Sequence, residues 1–309
     1  LGMPALGLYN FGNAVLSAAG DTKRPLYYLA FAGVVNVILN LFFVIVCHLG
    51  VAGVALASMI SQFISAFLIL RALLTGKEKY CLRLSEIRFD KRKAVGILQI
   101  GIPSAFQYSL FAFANLFVQS SVNSFDHVLV EGNSAAANAD PLVYDMMAAF
   151  YTACSSFIAQ NFGARKKKRI LQTYLICLFY SFITSLVLGV GIYLARYPFL
   201  YLFTSDKAVV EAGITRLSIM ALSYSASAFM DASIAASRGL GKTAVPTFVV
   251  VMGSCVFRII WIYTIFAYFH TIQSLYILYV FSWGITAIAE NIYFFHVYRH
   301  TLTEKKELC

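Results

Sequence analysis

Gly20-Asp21-Thr22-Lys23-Arg24-Pro25 and Gly241-Lys242-Thr243-Ala244-Val245-Pro246 are two versions of one hexapeptide, with Gly, Thr and Pro matched at an offset of 221 residues. Each version lies between two long apolar segments. Their pairing decides the fold: it predicts a membrane protein made from two copies of a multi-helix unit. Gly20, Thr22 and Pro25, and again Gly241, Thr243 and Pro246, read as structural turns between helices. Glycine permits an unusual backbone angle, and proline starts a helix at little cost because its missing N–H would be unsatisfied there anyway. Asp21, just ahead of a helix start, suits the helix dipole.

Composition supports a membrane chain. Sixty per cent of the residues are hydrophobic, 12% are charged and the mean hydropathy is +0.75. A soluble domain carries about 25% charged residues. The net charge of +10 sits in short loops between apolar spans, a pattern that sets topology rather than one that binds nucleic acid. The six cysteines form no CxxC pair and fall mostly inside apolar spans, so they read as small buried hydrophobes. The five histidines lack metal-ligand spacing, and no metal site is expected. Neither a phosphate-binding P-loop nor a dinucleotide fingerprint is present. Neither an enzyme nor a cofactor is therefore expected.

A spanning helix needs about 20 apolar residues. Nine candidates run at about 1–19, 25–47, 50–74, 94–122, 133–162, 170–195, 209–238, 245–268 and 272–298. Alternating ten-residue barrel strands are not seen. The expected class is an all-α polytopic membrane protein. Twenty of the 24 Lys and Arg fall in alternate loops: Lys23–Arg24, Arg71–Lys93, Arg165–Arg169, Arg238–Lys242 and the tail from Arg299. Excess basic charge marks the cytoplasmic side, which places the C-terminus there. The loops expected opposite lie at 48–49, 123–132, 196–208 and 269–271.

Six spans separate Pro25 from Pro246. An even number returns the chain to the same side, so the two copies form a parallel repeat about an axis along the membrane normal. The expected organisation is a partial first lobe at 1–75, a cytoplasmic linker at 76–93, a second lobe of six helices at 94–299 and a cytoplasmic tail at 300–309. Counted back from Lys93, the same offset places the start of the first copy about 128 residues ahead of Leu1. The chain is thus expected to be truncated at its N-terminus.

Four segments carry a family resemblance: YNFGNAVLSAAGDTKRPLYYLAFAGVVNVILN (9–40), LGVAGVALASMISQ (49–62), FIAQNFGARKKKRI (157–170) and FMDASIAASRGLGKTAVP (229–246). Together they resemble the multidrug and toxic compound extrusion (MATE) transporters of bacteria, matched from helix 4 to helix 12 of twelve. The resemblance implies two six-helix lobes in a 6+6 fold, alternating access, and export of cationic amphipathic drugs or dyes in exchange for H⁺ or Na⁺. It also implies the bacterial cytoplasmic membrane. The chain is expected to be monomeric, with membrane lipids as its other partners. The alternatives are a lipid-linked glycan flippase of the wider superfamily and a non-transporting membrane fragment.

Ionisable groups deep in a membrane are costly and face a cavity or a partner. Asp145, Asp231 and Asp140 are the candidates for binding a coupling ion or a cationic substrate, with Gln107, Tyr108 and Asn115 as polar companions on an apolar span. The resemblance implies a coupling-ion carboxylate on the helix that holds Asp231. It also implies, for one subtype, an acidic residue about eight positions after Pro103. That position here is Phe111, which leaves the coupling ion open. Arg258 and Glu290 fall at similar depth on adjacent antiparallel spans and are expected to form a structural ion pair.

Overall fold

The computed structural model describes residues 2–75 and 81–301. Every regular element among the described residues is helical. Among the described residues, eight helices are long and apolar enough to cross a membrane. The chain is an all-α polytopic membrane protein. It divides into two compact units, residues 1–90 and 91–309.

The first unit contains α1 (Met3–Ala18), α2 (Lys23–Leu41) and α3 (Gly50–Thr75), with a π-helical turn at Phe42–Val46 closing α2. α3 packs against both neighbours. Gly12 lies so close to Ile69 that a β-carbon there would sit 3.0 Å from its side chain, and the Tyr9 hydroxyl donates to the Pro25 carbonyl at 3.0 Å. α1 is the one expected span that falls short. Its 16 residues reach about 24 Å, below the ~30 Å of a bilayer core.

The second unit contains α4 (Lys91–Val122), α5 (His127–Ala137), α6 (Ala139–Gly163), α7 (Lys167–Leu194), α8 (Arg196–Tyr201) and α9 (Lys207–Gly239). A span at Ala244–Phe269 follows, built from α10 (Ala244–Val250), α11 (Phe257–Trp261) and α12 (Ala267–Phe269) joined by π-helical turns at Val251–Val256 and Ile262–Phe266. α13 (Ile272–His300) completes the unit. α9 is its axis, packed against α5, α6, α7 and α13. Small residues such as Ala221, Ser227, Ala228, Ala232 and Ala236 are fully buried along it, which lets backbones approach closely, as membrane helices do. Gly189 of α7 touches the Ala221 carbonyl, and Gly132 of α5 meets the Val209 carbonyl and Gly213. Large apolar side chains cover the outside of both units, among them Val34, Ile38, Phe179 and Ile288. That is the surface a helix bundle presents to lipid.

Three expectations are corrected. The outer loop at 123–132 shrinks to 123–126, because Asp126 caps α5 by accepting from the Leu129 N–H at 3.0 Å. The loop at 196–208 holds α8. The linker at 76–93 ends sooner, since Lys91 opens α4; its residues 76–80 lie outside the described residues, as do 302–309 of the tail.

The repeated hexapeptide closes two helices identically. Gly20 and Gly241 adopt φ of +91° and +76°. The N–H of Gly20 bonds Ser17 and that of Asp21 bonds Leu16; Gly241 bonds Arg238 and Lys242 bonds Ser237. These are the paired 5→2 and 6→1 hydrogen bonds of a left-handed C-cap. A β-carbon at either glycine would meet nothing within 4 Å, so backbone conformation rather than space calls for glycine. Pro25 and Pro246 are third in their helices, within the first turn whose N–H groups are unpaired.

Candidate functional site

The second unit holds a partly open cavity of about 530 Å³ between α4, α5, α6, α9, α10 and α13. Its middle is apolar and aromatic. Tyr144 packs edge-on to Trp283 at 6.0 Å between ring centroids and to Tyr224 at 5.7 Å. Tyr279 lies 5.4 Å from Trp283. Phe111, Met220, Met230 and Tyr151 add to the wall.

The two ends are polar and differ. Away from the basic loops, Arg216 of α9 donates to Asn133 Oδ1 at 2.6 Å and to Asp140 Oδ2 at 2.5 Å. The Tyr224 hydroxyl donates to the other Asp140 oxygen. Arg216 is 7% exposed, and a carboxylate opposite it spares the cost of burying the charge alone. Toward the basic loops, Arg238 donates to Gln107 Oε1 at 3.0 Å and lies 5.9 Å from the Tyr108 ring. Asp231, two turns back along α9, faces the cavity and has no hydrogen-bond or ion-pair partner among the described residues.

Arg258 is fully buried behind the wall. It donates to Asn115 Oδ1 at 2.7 Å and to the Ser282 hydroxyl at 3.3 Å, and its guanidinium lies 4.7 Å from the Phe111 ring and 4.6 Å from the Tyr279 ring. Cation–π contacts of this kind gain weight when desolvated. The two π turns flank its short helix α11. A π turn disturbs the i→i−4 ladder, and the Ser282 hydroxyl donates to the Gly253 carbonyl inside it at 3.2 Å.

Of the residues expected from the sequence, Asp231, Asp140, Gln107, Tyr108 and Asn115 line this cavity. Asp145 does not. It is exposed on another face of α6, between the likewise exposed Leu142 and Met146. Arg258 and Glu290 form no ion pair among the described residues. Ser254 meets Thr286 and Arg258 meets Ser282, a register that puts Glu290 two turns toward the basic end. Both Glu290 oxygens are buried without a hydrogen-bond partner. Thr243 proves more than a turn residue: its hydroxyl donates to the Gln99 carbonyl of α4 at 3.3 Å. Pro103, four residues on, has no N–H to offer that carbonyl.

Sequence reasoning did not reach the aromatic wall or the ends held by Arg216 and Arg238. Arg216 lies within a span, which is a signal of function by itself, but its partners cannot be read from the sequence. Trp283, Tyr144 and Tyr279 carried none, because the chain holds 27 Phe and 19 Tyr and composition does not say which of them face inward.

A family model described as MatE matches residues 103–264. The probable multidrug resistance protein YpnP of Bacillus subtilis is 33% identical over 163 residues, 52% of this chain and 36% of that protein. A FAD transporter of Shewanella oneidensis is 25% identical over 218 residues, 68% of this chain and 48% of its own length. Among solved structures, a MOP-superfamily transporter from Pyrococcus furiosus, described as having a binding pocket of reverse polarity, overlays with a TM-score of 0.88 at 20% identity, over 95% of this chain and 66% of that one. The chain spans about half the length, or less, of these curated relatives.

Proposed function

The chain belongs to the MatE family, and on that premise we propose that it forms part of a secondary-active multidrug exporter, which moves cationic amphipathic compounds outward in exchange for H⁺ or Na⁺. The observation that carries this reading is the cavity: an aromatic and methionine wall with the Asp231 carboxylate turned into it and unpartnered. A flat organic cation gains from aromatic faces and from a carboxylate in a low-dielectric site. The size lies within the range of small-molecule sites, about 300–1,000 Å³. Of the three arginines, Arg216 is matched by Asp140 and Arg258 is sealed behind the wall. In this reading the chain sits in the bacterial cytoplasmic membrane with its basic loops and C-terminus inside.

A second reading rests on Arg238, which lines the cavity with one buried guanidinium nitrogen unpartnered. It favours an anionic substrate, as the name of the Shewanella relative says of that protein. Ethidium and a flavin nucleotide, offered to inverted vesicles carrying the full-length protein, separate the two. We expect ion-gradient-driven ethidium uptake, lowered on the order of tenfold by Asp231→Asn, equivalent to about 1.4 kcal/mol of lost attraction. Flavin uptake without ethidium uptake establishes the second reading, and ethidium uptake indifferent to both ion gradients sinks the first.

A further inference from the structure

We infer that Glu290 is a proton-carrying site in the partition between the cavity and the basic end of the second unit. Glu290 is fully buried and neither carboxyl oxygen has a partner. A carboxylate in that setting lacks water and any hydrogen-bonded or ion-paired partner among the described residues, which makes its charge costly, whereas a neutral carboxyl avoids that penalty.

Its place is what gives the proton somewhere to go. A second hollow, a cleft of about 710 Å³, opens at the basic end and is lined by Leu240, Tyr293 and Val297. Along α13, Trp283 lines the cavity, Glu290 follows seven residues later, and Val297 lines the cleft after seven more. Steps of seven are two turns, about 10.5 Å, and keep one helix face. On α9 the same boundary falls between Arg238, which lines the cavity, and Leu240, which lines the cleft.

Arg238 of α9 is a charged neighbour of Glu290, and Tyr293 is a titratable neighbour on its own helix. Arg238 is held by Gln107 of α4 through one nitrogen, while its Nε is buried and unpartnered. A proton enters from water in the cleft and forms an O–H bond on Glu290. When Arg238 lets go of Gln107, it turns its free donor to Glu290. The O–H bond then breaks, the proton leaves to water in the cavity, and an ion pair replaces it. Only the proton changes carrier.

The transport half of this inference rests on the exporter reading; the protonation half does not. Infrared spectra of the purified full-length protein at neutral pH test the latter. A protonated-carboxyl band is expected in the wild type and absent from Glu290→Gln. Identical spectra overturn the inference. In proteoliposomes, Glu290→Gln is expected to equilibrate ethidium down its gradient but to lose pH-driven accumulation, with partial recovery in Glu290→Asp. A Glu290→Gln protein that keeps wild-type, pH-driven accumulation overturns the relay even if the band is lost. A wild type that moves no ethidium defeats the exporter reading and leaves the spectra to decide Glu290. Should Glu290→Gln fail to fold, carbodiimide labelling of the wild type, mapped by mass spectrometry, decides the protonation: Glu290 labelled supports it, and Glu290 unlabelled overturns it.

Discussion

A guanidinium buried in a membrane span needs acceptors for its donors, and Arg216 and Arg258 meet that need differently and only in part, since Arg216 Nε and one terminal nitrogen of Arg258 have no hydrogen-bond partner among the described residues. Arg216 has a carboxylate, Asp140; Arg258 has an amide, a hydroxyl and two aromatic faces. Removing a charge from a buried pair leaves the other uncompensated. Asp140→Asn is therefore expected to cost on the order of 3 kcal/mol, read as a lower midpoint of thermal unfolding in detergent. Asp140→Asn combined with Arg216→Met should recover part of that loss; no recovery would mean that the pair is not what holds α6 to α9. Arg165 offers the opposite sign. It is exposed with φ of +56° and closes α6 as Gly20 and Gly241 close α1 and α9. Arg165→Gly should stabilise by about 1 kcal/mol by relieving left-handed strain, while Arg165→Ala, which loses the same charge, should not. That charges in spans matter was legible in the sequence. Which of them meet was not: a residue count gives depth, whereas partners depend on rotation about the helix axis and on how far each helix overhangs its neighbour. This is why Arg258 found Ser282 and Asn115 and left Glu290 alone.

At the level of elements, the turn after α9 does a second job. Pro103 deprives the Gln99 carbonyl of its helical donor, and Thr243 supplies a hydroxyl in its place. Unsatisfied backbone groups are expensive where water is absent. Thr243→Val, nearly isosteric, is expected to cost about 1 kcal/mol. In a Pro103→Ala background, where residue 103 can donate to Gln99 itself, the same change should cost little. Equal losses in both backgrounds, measured by thermal unfolding, would break the link between Thr243 and the proline. Hydropathy located all eight spans found among the described residues and added a ninth at 1–19, since length and apolar content are what it reads. It missed the first half of α5, 127–132, because polar His127 and Glu131 look like a loop, and the N-cap that makes a helix of them rests on one residue, Asp126. It missed the π turns around Arg258 because π and α segments differ in hydrogen bonding, not in composition.

For the whole molecule, the 221-residue offset and the distribution of basic residues make one claim about orientation, and the offset has a structural counterpart: the same left-handed glycine cap ends α1 and α9. The claim is that two turns of one kind, separated by an even number of spans, share one face of the membrane with the basic Arg165–Arg169 turn, and that the segment between α8 and α9 lies opposite. The claim can be tested without knowing the substrate. In a cysteine-free full-length protein, single cysteines at Gly20→Cys, Lys168→Cys and Lys242→Cys should resist a membrane-impermeant maleimide in intact cells and react in inverted vesicles. Ser205→Cys, between α8 and α9, should do the reverse. Glycine caps tolerate cysteine poorly at φ above zero, so Lys168→Cys and Lys242→Cys carry the decision if Gly20→Cys fails to fold. Gly20→Cys and Lys242→Cys labelled from opposite sides would make the repeat inverted rather than parallel. That outcome would leave the helices of each unit as described, but it would remove the reason for treating the basic loops as one cytoplasmic surface.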